Sequence, residues 1–237
     1  MKLITTLLLA TLAICNALAD DTEPTINPAM TIVTADGEEE STDYTGSAPL
    51  QVRLKANTAD AEGWTEYYEW RFTLDGAQTP YLIRYEKDTD VTFMQSGTHS
   101  IVLYATFTKG ENTVTYTEEY WQTTPALRVS ISESKLEMPN IFTPNGDGIN
   151  DIYKAKEGYQ SLTEFKAIIF NRWGQKLFEW NNPAEGWDGK HNGKDVKDGV
   201  YYVLVKAKGA DGRTYNIRRD VNLLREHLND GTTNSGN

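Results

Sequence analysis

Short runs that alternate apolar and polar residues recur along this chain, each closed by a turn signal, and few folds accept that pattern. Leu50-Gln51-Val52-Arg53-Leu54 alternates strictly, and Tyr68-Glu69-Trp70-Arg71-Phe72 does the same with Trp70 on the face of Tyr68 and Phe72. Val91-Thr92-Phe93, Ser100 to Phe107, Val114 to Tyr120 and Leu127-Arg128-Val129-Ser130-Ile131 continue the series. A period of two puts every second side chain on one face of a strand, so each run is a strand with one buried face. Asp36-Gly37, Gly46-Ser47-Ala48-Pro49, Asp75-Gly76, Ser96-Gly97 and Lys109-Gly110 turn the chain between them. Strands spaced this way predict an antiparallel β-sandwich. No long segment carries a 3.6-residue stripe that would argue for helices.

The composition changes at Ile141-Phe142-Thr143-Pro144-Asn145-Gly146-Asp147-Gly148-Ile149-Asn150-Asp151. Pro144 fixes φ, Gly146 and Gly148 permit positive φ, and the Asn and Asp side chains can bond their own backbone. This is a rigid polar loop at the opening of a second domain. Phe165 to Phe170 follows as a strand, and Asn171-Arg172-Trp173-Gly174 turns it into Gln175 to Trp180. A second Gly- and Asn-rich loop, Gly186 to Lys194, precedes the core strand Gly199 to Val205. Ala210-Asp211-Gly212 then turns into Thr214 to Leu224, with Tyr215, Ile217, Val221 and Leu223 as its apolar positions. A chain of 237 residues has room for two such cores. The expected fold is all-β, two immunoglobulin-like β-sandwiches in tandem after a signal peptide.

The N-terminus carries the targeting information. Lys2 forms a short positive region, Leu3 to Ile14 an apolar one, and Ala17-Leu18-Ala19 a cleavage motif before Asp20-Asp21, so residues 1–19 read as a signal peptide. The apolar stretch is too short for a membrane span. The only cysteine, Cys15, lies inside it, behind an Ile14 that is bulky for a lipoprotein site. Cleavage after Ala19 leaves an exported chain without disulfides or thiol chemistry. Residues 20–29 read as a flexible lead-in, 133–137 as a linker, and 227–237 as a polar flexible tail.

Charge is divided unevenly. Residues 20–137 hold 21 Asp and Glu against 8 Lys and Arg, a net of −13, whereas residues 138–237 hold 13 against 14, a net of +1. The acidic front half carries the same sign as nucleic acid and anionic membranes, which disfavours both as its partners.

Two resemblances add to this reading. Gly46 to Val52, Trp70 within its strand, and Gly97-Thr98-His99-Ser100-Ile101-Val102-Leu103 are similar to a PKD-type immunoglobulin-like domain over residues 30–132. That family implies a spacer or binding module with the Trp between its sheets. Four further blocks stand in the order and spacing of the gliding-motility-associated C-terminal domain. They are Pro139 to Asp151, Ile169-Phe170-Asn171-Arg172-Trp173-Gly174, Gly186-Trp187-Asp188-Gly189, and Asp198-Gly199-Val200-Tyr201-Tyr202. Residues 138–226 therefore resemble a type IX secretion sorting domain of type B. The resemblance implies an outer-membrane secretion machinery as partner, and a cell-surface or secreted location, periplasmic if the domain is not used. It also implies that a surface sortase could cut at Ser132 to Met138. The competing reading is an adhesion or glycan-binding protein in which both domains are structural.

Chemistry beyond sorting is thin. Asn145, Asp147, Asn150 and Asp151 stand at spacings seen in calcium loops, which gather hard oxygen ligands. An EF-hand would also need a distal bidentate Glu, and Glu157 is displaced while Ile149 intrudes. The same side chains suit Asx turns bonded to backbone N–H groups. His99 falls in a strand, His191 in a Gly-rich loop and His227 in the tail, and no nucleophile or phosphate-loop motif accompanies them, so no enzyme is expected. Glu38-Glu39-Glu40 reads as a solvated turn. Trp64, Tyr67, Tyr68, Trp70, Tyr81, Tyr85 and Trp121 are candidates for a glycan platform, with Trp70 better placed in the core. Trp173 and Trp187 are expected to anchor loops of the second domain.

Overall fold

The computed structural model describes residues 22–225. The expected signal peptide, residues 1–19, and the expected tail, residues 227–237, lie outside the described residues. Almost every described element is a strand.

The first domain comprises β1 (Ala29–Thr34), β2 (Gly37–Glu40), β3 (Asp43–Gly46), β4 (Leu50–Lys55), β5 (Thr65–Leu74), β6 (Leu82–Arg84), β7 (Asp88–Phe93), β8 (Gly97–Lys109), β9 (Asn112–Tyr116) and β10 (Leu127–Ile131), with a short helix α1 (Glu118–Trp121). One sheet runs β2-β1-β4-β7 and the other β3-β10-β8-β5-β6, with β9 on β8. The alternation dictates which side chains meet between them. Met30 and Ile32, Leu50, Val52 and Leu54, and Val91 and Phe93 face Tyr68, Trp70 and Phe72, Ile101 to Phe107 at every second position, and Leu127, Val129 and Ile131. Trp70 is fully buried, and its indole N–H donates to the Lys87 carbonyl at 3.2 Å. A ring of this size contributes about 3–5 kcal/mol that truncation to Ala would forfeit.

Three local expectations change. Glu38 to Glu40 is not a turn but part of edge strand β2, register-paired with β1, and Glu38 bonds Arg53 at 3.0 Å. Charged side chains on an exposed edge discourage pairing with another chain. Val114 to Tyr120 divides between β9 and α1. Residues 22–28 are not free: Thr25 bridges Ala59, Ile26 is buried, and the Pro24 carbonyl accepts the Tyr116 hydroxyl at 2.8 Å.

His99 lies on the inward face of β8, almost fully buried, with its ring 4.9 Å from that of Phe93. The Gln95 carbonyl can only accept, so Nε2 donates to it at 2.9 Å and Nδ1 accepts the Tyr81 hydroxyl at 2.9 Å. This arrangement suits the neutral ring. Burial holds its pKa below the ordinary histidine value, opposed by the Gln95 bond and the charge of Asp75.

The second domain comprises β11 (Ile141–Phe142), β12 (Leu162–Phe170), β13 (Lys176–Trp180), β14 (Lys190–His191), β15 (Lys194–Asp195), β16 (Gly199–Gly209) and β17 (Thr214–Leu223). Five of them form a sheet in the order β11-β17-β16-β12-β13, and β14 and β15 pair as a small hairpin. The layer opposite the sheet is mostly loop, tied by isolated bridges between Lys135 and Gln160 and between Tyr153 and Trp187. Leu136, Met138, Tyr153, Ala155 and Trp187, from outside the sheet, complete this core with Phe142 of β11.

The segment expected as a linker, residues 133–137, is built into this second core. Ser134 is buried, its amide donates to Asp211 at 3.0 Å, and its hydroxyl bonds Asp211 at 2.8 Å and Tyr215 at 2.9 Å. A Cβ on Gly209 would collide with Ser134 Oγ, so only glycine fits there. The domains also bond directly: the Ala48 amide donates to Ser161 Oγ at 3.2 Å, and the Ser96 amide to the Ala210 carbonyl at 3.1 Å. Ala210, from the β16–β17 turn, packs into the first domain's core. Desolvation alone would raise the Asp211 carboxyl, but the amides of Arg213 and Ser134 and the Ser134 hydroxyl outweigh it and hold the group below the usual carboxylate range.

Asp211→Ala leaves buried Ser134 without its acceptor, at a cost of about 1–3 kcal/mol. Limited proteolysis should cut this variant within residues 132–138 and spare the wild type; equal resistance would refute the locked joint. The unfolded chain binds a proton at His99 near pH 6.5, before the folded chain does. Stability present above that pH is therefore lost as pH falls toward the depressed folded pKa. Thermal melts from pH 7.5 to 5.5 should show a falling midpoint, with a shallower fall in His99→Phe.

Candidate functional site

The four sequence blocks of the second domain converge at one end of its sheet. Phe142 is buried at the start of the first block, its ring centroid 5.6 Å from Tyr153 and 5.4 Å from Trp187. Trp187 is completely buried, 5.1 Å from Tyr201, and its indole N–H donates to the Lys190 carbonyl at 2.7 Å. Tyr153 and Trp187 exchange both backbone hydrogen bonds, at 2.8 and 3.0 Å. That close approach is why residue 186 is glycine: a Cβ there would strike the Tyr153 carbonyl. Burial pushes the Tyr153 phenol well up, partly offset by Arg219, and its hydroxyl donates to the Pro139 carbonyl at 3.0 Å.

Arg225 closes the assembly. Its guanidinium reaches the Gly189 carbonyl at 2.9 Å and the Asp198 carboxylate at 3.0 Å, and its amide donates to Asp198 at 2.8 Å. The third and fourth blocks are thus clamped by a residue after the last strand. Sequence reasoning passed over Arg225 because its partners lie 27 and 36 positions away.

The loop proposed for calcium folds onto itself. Asp151 accepts the Gly146 amide at 2.7 Å and the Gly148 amide at 2.8 Å, one on each oxygen. Asp147 accepts the Ile149 amide at 2.8 Å and the Asn145 side-chain amide at 3.0 Å. Asn145 Oδ1 accepts the Asp147 amide at 3.1 Å. Asn150 contributes through its backbone, with φ of 54° and its carbonyl accepting the Thr143 amide at 2.9 Å. Gly146 and Gly148 have φ of 84° and 85°, the left-handed conformation that lets the amides turn inward. The donor set is bonded as a chain of Asx turns, and among the described residues no three His, Cys, Asp or Glu side chains gather as metal ligands.

Trp173 departs from its expected role. The turn is shaped by Asn171, whose Oδ1 accepts the Trp173 and Gln175 amides at 3.0 Å each, while the indole is 78% exposed and anchors nothing. Arg172 lies over the ring, 4.9 Å from its centroid. A groove of about 650 Å³ runs from these two residues to Val200 and Tyr202.

The aromatics of the first domain do not assemble as a platform of seven. Tyr68 and Trp70 are buried, Tyr81 bonds His99, and Trp121 donates to the Leu103 carbonyl at 2.9 Å. Trp64 is partly buried against the core, with the Lys109 ammonium 5.7 Å from its ring centroid. Tyr67 and Tyr85 remain as an exposed pair 6.1 Å apart. His191 Nδ1 bonds the Leu177 carbonyl at 3.0 Å.

Residues 136–217 match the family described as CHU_C Type IX secretion signal domain. The matched stretch contains all four blocks and ends inside β17. It makes the second domain similar to a type IX secretion signal, which implies export to the cell surface or the medium. No curated protein matches the chain. No helix among the described residues is long and apolar enough to cross a membrane.

Because the loop's own amides occupy its carboxylates, millimolar calcium and chelator should give the same melting midpoint. Asp151→Ala should lower stability by about 1 kcal/mol under both conditions. A midpoint that rises with calcium and loses that rise in Asp151→Ala would restore the metal reading.

Proposed function

We propose that the protein is an exported, non-enzymatic protein whose second domain serves as a type IX sorting module and whose PKD-like first domain serves interaction or spacing at the surface. The observation that carries this reading is the family match over residues 136–217, whose four blocks fold into one continuous locus instead of scattering over the domain. In this reading the signal peptide delivers the chain across the inner membrane, and the folded second domain presents itself to the outer-membrane machinery. The two domains travel and remain together. Residues 132–138, which would otherwise be the natural place for a sortase cut, hold buried Ser134, Leu136 and Met138 and would have to leave the core to reach a protease.

A surface-binding role for the first domain rests on the exposed Tyr67–Tyr85 pair. Tyrosine supplies rigid, amphipathic contact area at low entropic cost. Its class of ligand is a glycan or a protein, and quenching of tyrosine fluorescence across a glycan panel distinguishes them.

The sorting role is tested by localisation in the native host. A chain ending at Ser132 should remain in the periplasm, and a periplasmic reporter carrying residues 133–237 should reach the surface or medium. Unchanged delivery of the shortened chain would favour the reading in which both domains are structural.

A further inference from the structure

The outward side of the second domain's sheet is not composed like a solvated face. Tyr201, Val203 and Val205 point into the core, so Val200, Tyr202 and Leu204 stand on the opposite side. The register sets Ile168 beside Leu204 and Phe170 beside Tyr202, which makes the apolar strip continuous across β12 and β16. Val200 is 47% exposed and Tyr202 is 46% exposed. Tyr202 forms a wall shared by two hollows. One is the groove that begins at Trp173; the other, of about 400 Å³, lies against Phe170, Leu204 and Arg218.

Cations rim the strip. Lys206 and Arg218 are exposed on the neighbouring register positions, and Arg172 and Lys197 stand at the end of the groove. Lys166 and Lys176 share Glu179. By contrast, no carboxylate among the described residues lies within ion-pair distance of Arg172, Lys197, Lys206 or Arg218. Asp220 stands beside Tyr202 on this face, and Asp198, which also lines the groove, is already bonded to Arg225. Trp, Tyr and Arg are the side chains that dominate interface energies, and here a Trp carries a stacked Arg at the mouth of a groove.

We infer that this face is a docking surface for a protein partner whose own surface offers carboxylates around an apolar projection. The projection fills the groove between Trp173 and Tyr202, while Arg172, Lys206 and Arg218 supply the complementary charge. Unpaired rim cations steer an acidic partner and fix its orientation, and the apolar strip supplies the affinity. The inference rests on the sorting role and assigns the surface through which the export machinery recognises the folded domain. A second copy of the chain matches less well. Its acidic edge, Glu38 to Glu40, is exposed and charged throughout and has no apolar centre to fill the groove.

The test uses the full chain in its native host. Trp173→Ser/Tyr202→Ser and Arg172→Glu/Arg218→Glu should each lower the surface-to-periplasm ratio by about tenfold, the effect of losing one strong interface contact. Circular dichroism and melting of both should match the wild type, since these side chains are exposed. Met94→Ser, which removes an exposed apolar residue of the first domain, should be exported normally. If deletion of residues 133–237 blocks export but both double variants are delivered as wild type, the docking surface is wrong and the sorting role stands. If the deletion itself leaves delivery unchanged, both fall. Two further results would overturn the assignment with the sorting role intact. One is a wild-type dimer in sedimentation that Trp173→Ser/Tyr202→Ser abolishes. The other is binding to phosphatidylglycerol vesicles that Arg172→Glu/Arg218→Glu abolishes.

Discussion

A five-stranded sheet needs a second layer to bury its inner face, and the second domain has only a short hairpin and loops to provide one. The reciprocal backbone bridge between Tyr153 and Trp187 is what lets loops do the work of a sheet. It satisfies the peptide groups that burial would otherwise leave unpaired, and it sets two large rings against Phe142 and Tyr201. The remaining features follow from it. Gly186 has no side chain because the bridge is close, and Arg225 binds Gly189 and Asp198 because the bridge has already fixed where that loop lies. The polar loop of residues 143–151, bonded to itself, then hangs from Phe142 as a rigid projection with Ile149 at its surface.

Much of this was legible in the residues, for reasons that differ between the domains. In the first, alternation alone predicts which side chains face inward, since a strand has only two faces and Trp70 shares one with Tyr68 and Phe72. In the second, the turns were legible: the Asn and Gly residues announce loops, and Asx bonding is a local property. What stayed hidden depends on distant partners. Residues 133–137 look like a linker because Ser134 and Lys135 are polar, yet Asp211, Tyr215 and Gln160 satisfy them from more than 20 positions away. Glu38 to Glu40 has no strand propensity, and its pairing comes from lying antiparallel to β1. The Asn171-Arg172-Trp173-Gly174 turn was clear, but nothing local dictates to which side the indole swings.

The charge asymmetry of the sequence acquires a place in the structure. The acidic excess belongs to the domain that presents an exposed acidic edge strand, and the near-neutral half contains a face where several cations have no carboxylate partner among the described residues. Like charge keeps the first domain away from anionic surfaces, whereas the second keeps its cations beside an apolar strip.

The joint between those halves sets how freely they could be exchanged in evolution. Ala210 belongs to a turn of the second domain but packs in the core of the first, and Ser161 accepts an amide from Ala48. A different passenger attached to this second domain would need a matching recess for Ala210 and an amide for Ser161. A different second domain attached to this passenger would leave that recess open. The two domains are thus shaped for each other, and a break at the polar stretch between them would part matched surfaces.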